Sequence, residues 1–320
     1  MKVLMTEPLQ PIGQAVFHDH PDIEVIQPEA LTEDALVEAA RDVDGIAVRS
    51  AKLTPTVLAG ATRLRAVARH GVGYDNVHVP SLSERRIPLL LSINANAVSV
   101  AEHTMMFVLY LAKRLPQYDA AARASNFAFR SAPIAVDIAS RVLTIVGFGR
   151  IGTRLARRAL AFDMKVYACD PYVPQDDIAA SGCVPVDDFR DVLPETDFLS
   201  VHCPLNDETR GIVGEPELGL MRPDSFVINC ARGGIVDEPA LVDALAGDRI
   251  AGAGIDVFNI EPPPADHPFL SSDKVILTPH SAGVSIEAAR RMSFETADNL
   301  VKALAGEVDP ARLANPEILD

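Results

Sequence analysis

Three glycines with the spacing G-x-G-x-x-G, Gly147-Phe148-Gly149-Arg150-Ile151-Gly152, join an apolar run, Leu143-Thr144-Ile145-Val146, to a helix-like segment from Thr153 to Leu160. In a strand–turn–helix context that spacing has a mechanism. The first glycine makes the tight turn, the second lets backbone approach a pyrophosphate, and the third lets helix and strand pack closely. The pyrophosphate then rests on unpaired N–H groups at the positive end of the helix dipole. A second strand, Lys165 to Cys169, ends in Asp170, 18 residues after Gly152. A carboxylate there accepts hydrogen bonds from ribose hydroxyls and repels a 2′-phosphate. The stretch reads as a dinucleotide site with NAD favoured over NADP; the plainer alternative is a glycine-rich turn that binds nothing.

Ligands of open α/β sheets bind beyond the carboxyl ends of the strands, so polar residues just after each strand are the ones to inspect. Arg232 follows the apolar run ending at Cys230, Glu261 follows the one ending at Val257, and His280 follows the one ending at Leu277. An arginine can fork onto a carboxylate, and Gly233 and Gly234 after it would let backbone pass close to a ligand. A histidine can exchange a proton near neutral pH. Singly, each has a bland reading: a surface ion pair, a solvated loop acid, a structural histidine. Together, at one edge of a dinucleotide sheet, they are the right set for hydride chemistry.

The elements that must position these residues alternate strand and helix. Strands are expected at residues 3–5, 22–26, 45–48, 66–68 and 88–91, with a helix from Glu33 to Ala40 capped by Thr32 and another starting at Thr54-Pro55. This forms a first α/β unit without a phosphate-binding loop. A helix from Val98 to Arg114, apolar on most faces, suits a buried position or a subunit interface. Residues 116–140 are Ala-rich and weakly patterned. A second unit begins at Arg141; its strands near 143, 165, 197, 225, 252 and 275 make six, the number a doubly wound dinucleotide fold needs. A last amphipathic helix runs from Ile286 to Ala305.

Bulk properties narrow the partners. The 320 residues suggest two domains, and 48% hydrophobic with 23% charged residues is ordinary for a globular protein. A net charge of −15, from 29 basic and 44 acidic residues, argues against nucleic-acid or anionic-membrane surfaces. An anionic substrate must then be held by locally placed arginines. There is no signal-peptide pattern and no membrane-span run. Cys169, Cys183, Cys203 and Cys230 are scattered without a C-x-x-C, as expected of reduced thiols in a cytoplasmic protein, and no metal is expected.

Several segments in order carry a more specific likeness: Gly147–Gly152, Val201–Gly211, Asn229–Glu238, Asp256–Pro263 and Ile276–Gly283. The chain resembles the D-isomer-specific 2-hydroxyacid dehydrogenases over essentially its whole length. Val48-Arg49-Ser50 and Arg69–Val77 are most similar to the phosphoglycerate dehydrogenase branch. The resemblance implies two doubly wound parallel-sheet domains. A Rossmann NAD-binding domain, residues 96–285, is inserted into a flavodoxin-like substrate domain of residues 1–95 plus 286–320. It implies a homodimer joined through the NAD-binding domain.

For a small 2-hydroxy or 2-keto acid (3-phosphoglycerate, hydroxypyruvate or glyoxylate type), the resemblance makes Arg232 the carboxylate holder and His280 the acid–base, assisted by Glu261. It lines the cofactor with the Gly147–Gly152 loop, including Phe148, Gly149, Arg150 and Ile151. Further along come Asp170, His202, Cys203, Pro204, Thr209, Cys230, Ala231, Asp256, Ala282 and Gly283, with Asp256 on the nicotinamide carboxamide. Backbone N–H groups of Val72 and Gly73 would bind the substrate carboxylate. Arg49, Ser50 and Arg69 would lie near a distal anionic group, Arg49 being as readily a structural ion pair. Cys203 and His70 depart from the family pattern, and His70 at the mouth of the substrate loop would add a contact or narrow the pocket. The chain ends soon after its last helix, so no regulatory domain is expected. The alternative function is a nucleotide-sensing interaction protein, like the corepressors that share this fold.

Overall fold

The computed structural model describes residues 1–319, which divide into two compact units, residues 1–96 with 284–319, and Ala97–Gly283. The second is thus an insertion in the first. Asn96, Val284 and Ser285 fall in the first unit, and the Ser285 hydroxyl accepts from Ala288 N to cap that unit's last helix.

The first unit has a parallel sheet of β1 (Lys2–Met5), β2 (Glu24–Ile26), β3 (Gly45–Val48), β4 (Ala66–Arg69) and β5 (Leu89–Leu91), in the flavodoxin-like order β2-β1-β3-β4-β5. Alternate side chains serve two cores. Leu4, Ile46, Val67 and Leu89 pack with Leu36 of α2 (Glu33–Ala40), Leu58 of α3 (Pro55–Gly60) and Leu82 of α4 (Val79–Ser83). Val3, Ala47, Ala68 and Leu90 pack with Phe17 of α1 (Pro11–His18) and with Ala297 and Leu300 of the last helix. Thr32 and Thr54 cap α2 and α3 by accepting from Ala35 N and Val57 N. Helix α1 has no side-chain cap, which is why the sequence did not announce it; it is held by crossing the last helix so closely that a Cβ on Gly13 would lie 2.4 Å from Ser293 O.

The second unit opens with α5 (Ala97–Lys113) and α6 (Leu115–Arg123). Helix α6 buries no residue, so its sequence has no apolar stripe to read. The sheet comprises β6 (Val142–Val146), β7 (Lys165–Cys169), β8 (Val184–Pro185), β9 (Phe198–Val201), β10 (Phe226–Asn229), β11 (Gly252–Ile255) and β12 (Val275–Leu277). Its order, β12-β11-β10-β9-β6-β7-β8, is the Rossmann order with one strand added at the far edge. Seven strands replace the expected six, since the two-residue edge strand β8 is too short to leave a pattern. One face packs on α5 and α7 (Gly152–Ala161) through Leu143, Ile145, Phe198 and Ile228. The other packs on α9 (Glu215–Leu220) and α10 (Glu238–Ala246) through Leu199, Val201, Val227 and Ile255, with α8 (Gln175–Ala180) near β8. Phe107 of α5 fills the space left by Gly254: a Cβ there would be 2.7 Å from its ring. The chain returns to the first unit as α11 (Ile286–Leu304).

Candidate functional site

Every candidate residue of the second unit stands at the carboxyl end of a parallel strand. β6 runs into the glycine loop. Gly147 has φ +98°, and a Cβ on it would lie 2.6 Å from Cys203 N, so the loop is pressed against the His202–Cys203 backbone. A Cβ on Gly152 would meet Gly147 O at 2.2 Å, the close helix–strand packing expected of the third glycine. A Cβ on Gly149 would meet nothing within 4 Å, so the space over that turn is open, while its carbonyl accepts from Thr153 Oγ1 at 2.8 Å. Helix α7 starts at Gly152 with no side-chain cap. Asp170 follows β7; its carboxylate accepts from Phe148 N at 2.7 Å and Tyr172 N at 2.9 Å. A carboxylate has about four acceptor positions, so two remain for a ribose diol.

His202 follows β9. Its Nε2 pairs with Ser200 Oγ at 2.9 Å, while Nδ1 is buried with no hydrogen-bond partner among the described residues. Burial holds its pKa down to about 4 and pushes the Cys203 thiol up to about 11. Burial likewise raises Cys230. These cysteines are thiols, not thiolates. Thr209 braces the Pro204 turn, its hydroxyl donating to Pro204 O at 2.5 Å. Open space over the glycine turn, an uncapped helix start, a half-occupied carboxylate and an orphaned ring nitrogen together suit an NAD molecule.

The chemistry-bearing residues follow the adjacent strands β10, β11 and β12, which are parallel and in register. After β10, Asn229 holds the turn by accepting from Ala231 N at 3.0 Å and donating to Arg232 O at 2.9 Å. Arg232 Nη1 donates to Ala231 O at 2.6 Å. Gly233 has a different reason from the one expected: a Cβ would sit 2.0 Å from Phe258 O, so the neighbouring loop demands it. After β11, Glu261 accepts from Phe258 N at 3.0 Å with one oxygen and meets His280 Nδ1 at 2.7 Å with the other. After β12, His280 itself has φ +51°, a left-handed conformation that costs a β-carbon residue about 1 kcal/mol.

What holds it there is Asp256, 1% exposed. Its carboxylate accepts from Thr278 Oγ1 at 2.5 Å, Ser281 N at 2.8 Å and Ala282 N at 2.9 Å. Those contacts bracket His280. His103 of α5, which the sequence reading passed over, reaches Thr278 Oγ1 with Nε2 at 3.0 Å. No spacing could have shown it, since the two residues lie 175 apart in the chain.

In the first unit, Arg49 and Ser50 follow β3, and Glu7 follows β1. The Glu7 carboxylate accepts from Arg49 N at 3.2 Å, Ser50 N at 2.6 Å and Ala51 N at 3.2 Å, and from the hydroxyls of Thr6 and Ser50. Burial works to raise its pKa, but these donors outweigh it and hold the carboxyl below its ordinary range. Ser50 is therefore committed to Glu7, whereas the Arg49 residue is exposed. Arg69 Nε donates to Asn76 Oδ1 at 3.3 Å and a second nitrogen donates to His70 O, so its guanidinium braces the loop carrying Val72 and Gly73. His70 does not stand at a loop mouth. It is 8% exposed and pairs with Ser293 Oγ of α11 at 3.1 Å.

Residues 105–282 match the D-isomer specific 2-hydroxyacid dehydrogenase NAD binding domain. The chain is 35% identical over 309 residues to D-3-phosphoglycerate dehydrogenase of Methanocaldococcus jannaschii, covering 96% of this chain but 58% of that protein. It is 33% identical to hydroxypyruvate reductase of Thermotoga maritima, covering 95% of this chain and 98% of that one. The chain thus spans little more than half of the phosphoglycerate dehydrogenase relatives it matches. Among solved structures, D-lactate dehydrogenase from Aquifex aeolicus, complexed with NAD and lactic acid, superposes with a TM-score of 0.86 at 28% identity, covering 98% and 99% of the two chains. The glycine loop and Asp170 at the carboxyl edge of a Rossmann sheet, inserted in a flavodoxin-like unit, agree with these likenesses: the chain belongs to the D-isomer-specific 2-hydroxyacid dehydrogenases and carries that family's NAD-binding domain.

Proposed function

We propose that the protein is an NAD-dependent oxidoreductase that interconverts a small D-2-hydroxy acid and its 2-keto acid. The observation that carries this reading is the 2.7 Å pair of His280 Nδ1 and Glu261 Oε2 at the end of β12. An ionised Glu261 can only accept, so Nδ1 carries the hydrogen and Nε2 is the nitrogen left to exchange a proton. NAD supplies the hydride acceptor and donor. In reduction, His280 Nε2 gives its proton to the C2 oxygen of the keto acid; in oxidation it takes that proton back as the C2 hydride departs. Arg232 binds the substrate carboxylate and draws charge from the C2 oxygen.

In this reading Ala97–Gly283 binds NAD, with Asp170 on the ribose and Asp256 on the nicotinamide side. The first unit contributes Val72 and Gly73 backbone N–H groups and the exposed Arg49 to the acid. The substrate is a short acid of the hydroxypyruvate, glyoxylate or 3-phosphoglycerate type. The protein acts as a homodimer through the NAD-binding domain. Four free cysteines fit a reducing, cytoplasmic setting.

The test is NADH oxidation with a panel of 2-keto acids, with and without a phosphate group, using wild type and His280→Asn. At least one acid is expected to turn over. His280→Asn should lower kcat by a factor of 10² or more, with NADH binding by fluorescence unchanged. Full activity of the variant would remove His280 from the mechanism.

A further inference from the structure

Glu261 orients the His280 ring, but the backbone beneath it is held by Asp256, and Asp256 is approached from the α5 side by a residue with no role so far. We propose that His103 is a positioning residue for the proton-transferring histidine, acting through the Thr278 hydroxyl and the Asp256 carboxylate. The proposal rests on the reading of His280 as the acid–base.

The protons can be counted. Thr278 Oγ1 stands 2.5 Å from Asp256 Oδ1 and 3.0 Å from His103 Nε2. A hydroxyl has one proton, and an ionised carboxylate can only accept. Thr278 therefore gives its proton to Asp256 and must receive one from His103, which sets Nε2 as the protonated ring nitrogen. The order of donation is His103 to Thr278 to Asp256, with Ser281 N and Ala282 N arriving at Asp256 from the other side of His280. Removing His103 leaves the hydroxyl with an unanswered acceptor and free to rotate away from the carboxylate.

The far end of this chain is rigid. His103 lies edge-on to Phe107, centroids 4.8 Å apart at 83°, and Phe107 is fully buried against Gly254 of β11. Burial lowers the His103 pKa against the attraction of Asp256, which favours the neutral ring and so a defined tautomer. The sheet core thereby fixes His103, His103 fixes Thr278, and Thr278 with Asp256 fixes the turn that keeps His280 in its left-handed conformation. Proton transfer needs its partners within about 3 Å, and a displacement of about 1 Å can cost 10²-fold in rate. A polar chain of this kind acts on turnover more than on ground-state binding.

The experiment compares His103→Leu, His103→Gln, Thr278→Val and the double variant His103→Leu/Thr278→Val. Each is assayed for kcat and KM with NADH and the best keto acid among glyoxylate and hydroxypyruvate, and for thermal midpoint. His103→Leu is expected to lower kcat about tenfold with KM for NADH within about twofold of wild type. His103→Gln, whose amide nitrogen can donate from a similar place, should recover most of the rate. Thr278→Val interrupts the same chain, so the double variant should be no slower than the worse single one. Should His103→Leu not fold, the proposal stands or falls on Thr278→Val and His103→Gln. Wild-type kcat in His103→Leu or Thr278→Val, a Gln variant slower than tenfold below wild type, or losses that multiply in the double variant would each overturn it. An active His280→Asn enzyme would overturn both this proposal and the reading beneath it, and is recognised because it needs no His103 variant.

Discussion

Asp170 and His70 show how much one residue's surroundings decide. Asp170 reads as a ribose ligand, yet it also ties Phe148 N into the glycine loop. Asp170→Ala should therefore raise the NADPH-to-NADH ratio of kcat/KM by about tenfold and also weaken NADH itself, because a 2′-phosphate is no longer repelled and the loop is no longer pinned. Initial rates with the two cofactors measure this; an unchanged ratio would mean the ribose is held elsewhere. His70 is buried, and burial together with Arg49 and Arg69 holds its pKa down to about 4. The unfolded chain keeps the ordinary value of about 6.5. Above that pH both states are neutral and nothing is lost. Between about 6.5 and 4 only the unfolded chain takes up the proton, so this residue lowers stability as the pH falls, by about 3 kcal/mol in all. Urea unfolding of wild type and His70→Ala at pH 7 and pH 4 should show the wild-type advantage shrinking by that order. A constant gap would show that His70 takes up its proton at the same pH in the folded and the unfolded chain.

At the scale of elements, loops that carry function are held from neighbouring strands rather than by themselves. The β3 loop with Arg49 hangs on Glu7 of the β1 loop, a carboxylate met by three N–H groups and two hydroxyls. Glu7→Gln puts an amide donor among donors. Stability should fall by about 1–3 kcal/mol, and KM for the keto acid should rise with kcat less affected if Arg49 contacts it. An unchanged urea midpoint would contradict the clamp. The long helices and every strand but the two-residue β8 were plain in the sequence because burial on both faces imposes an apolar run and burial on one imposes a stripe. Helix α1, lacking a cap and held by α11, and helix α6, burying nothing, imposed neither.

At the scale of the molecule, the second unit presents an apolar groove along α5 and α7, lined by Met105, Met106, Leu109, Tyr110, Leu115 and Phe162, with the Arg158–Glu102 ion pair of 2.8 Å at its rim. Met106 is 41% exposed, Leu115 48% and Phe162 44%, an apolar concentration that water disfavours. This supports the proposed homodimer. Light scattering should give twice the chain mass for wild type, and Met106→Glu should shift it toward one chain; a wild-type monomer at micromolar concentration would end the proposal. Among the described residues no helix is long and apolar enough to cross a membrane.

The sequence by itself determined the two parallel sheets, the glycine loop, Asp170 and the strand-end positions of Arg232, Glu261 and His280. Each follows from local spacing, since a strand followed by a turn places its next polar residue at the sheet edge whatever the rest of the chain does. Only the tertiary structure decided what those residues touch. That Gly233 answers to Phe258, that His70 turns inward to Ser293, that Glu7 claims Ser50 and that His103 steadies the His280 turn are all contacts between distant parts of the chain. Their partners are chosen by how the layers pack, and side-chain spacing along a strand or helix does not record which neighbour lies across the gap.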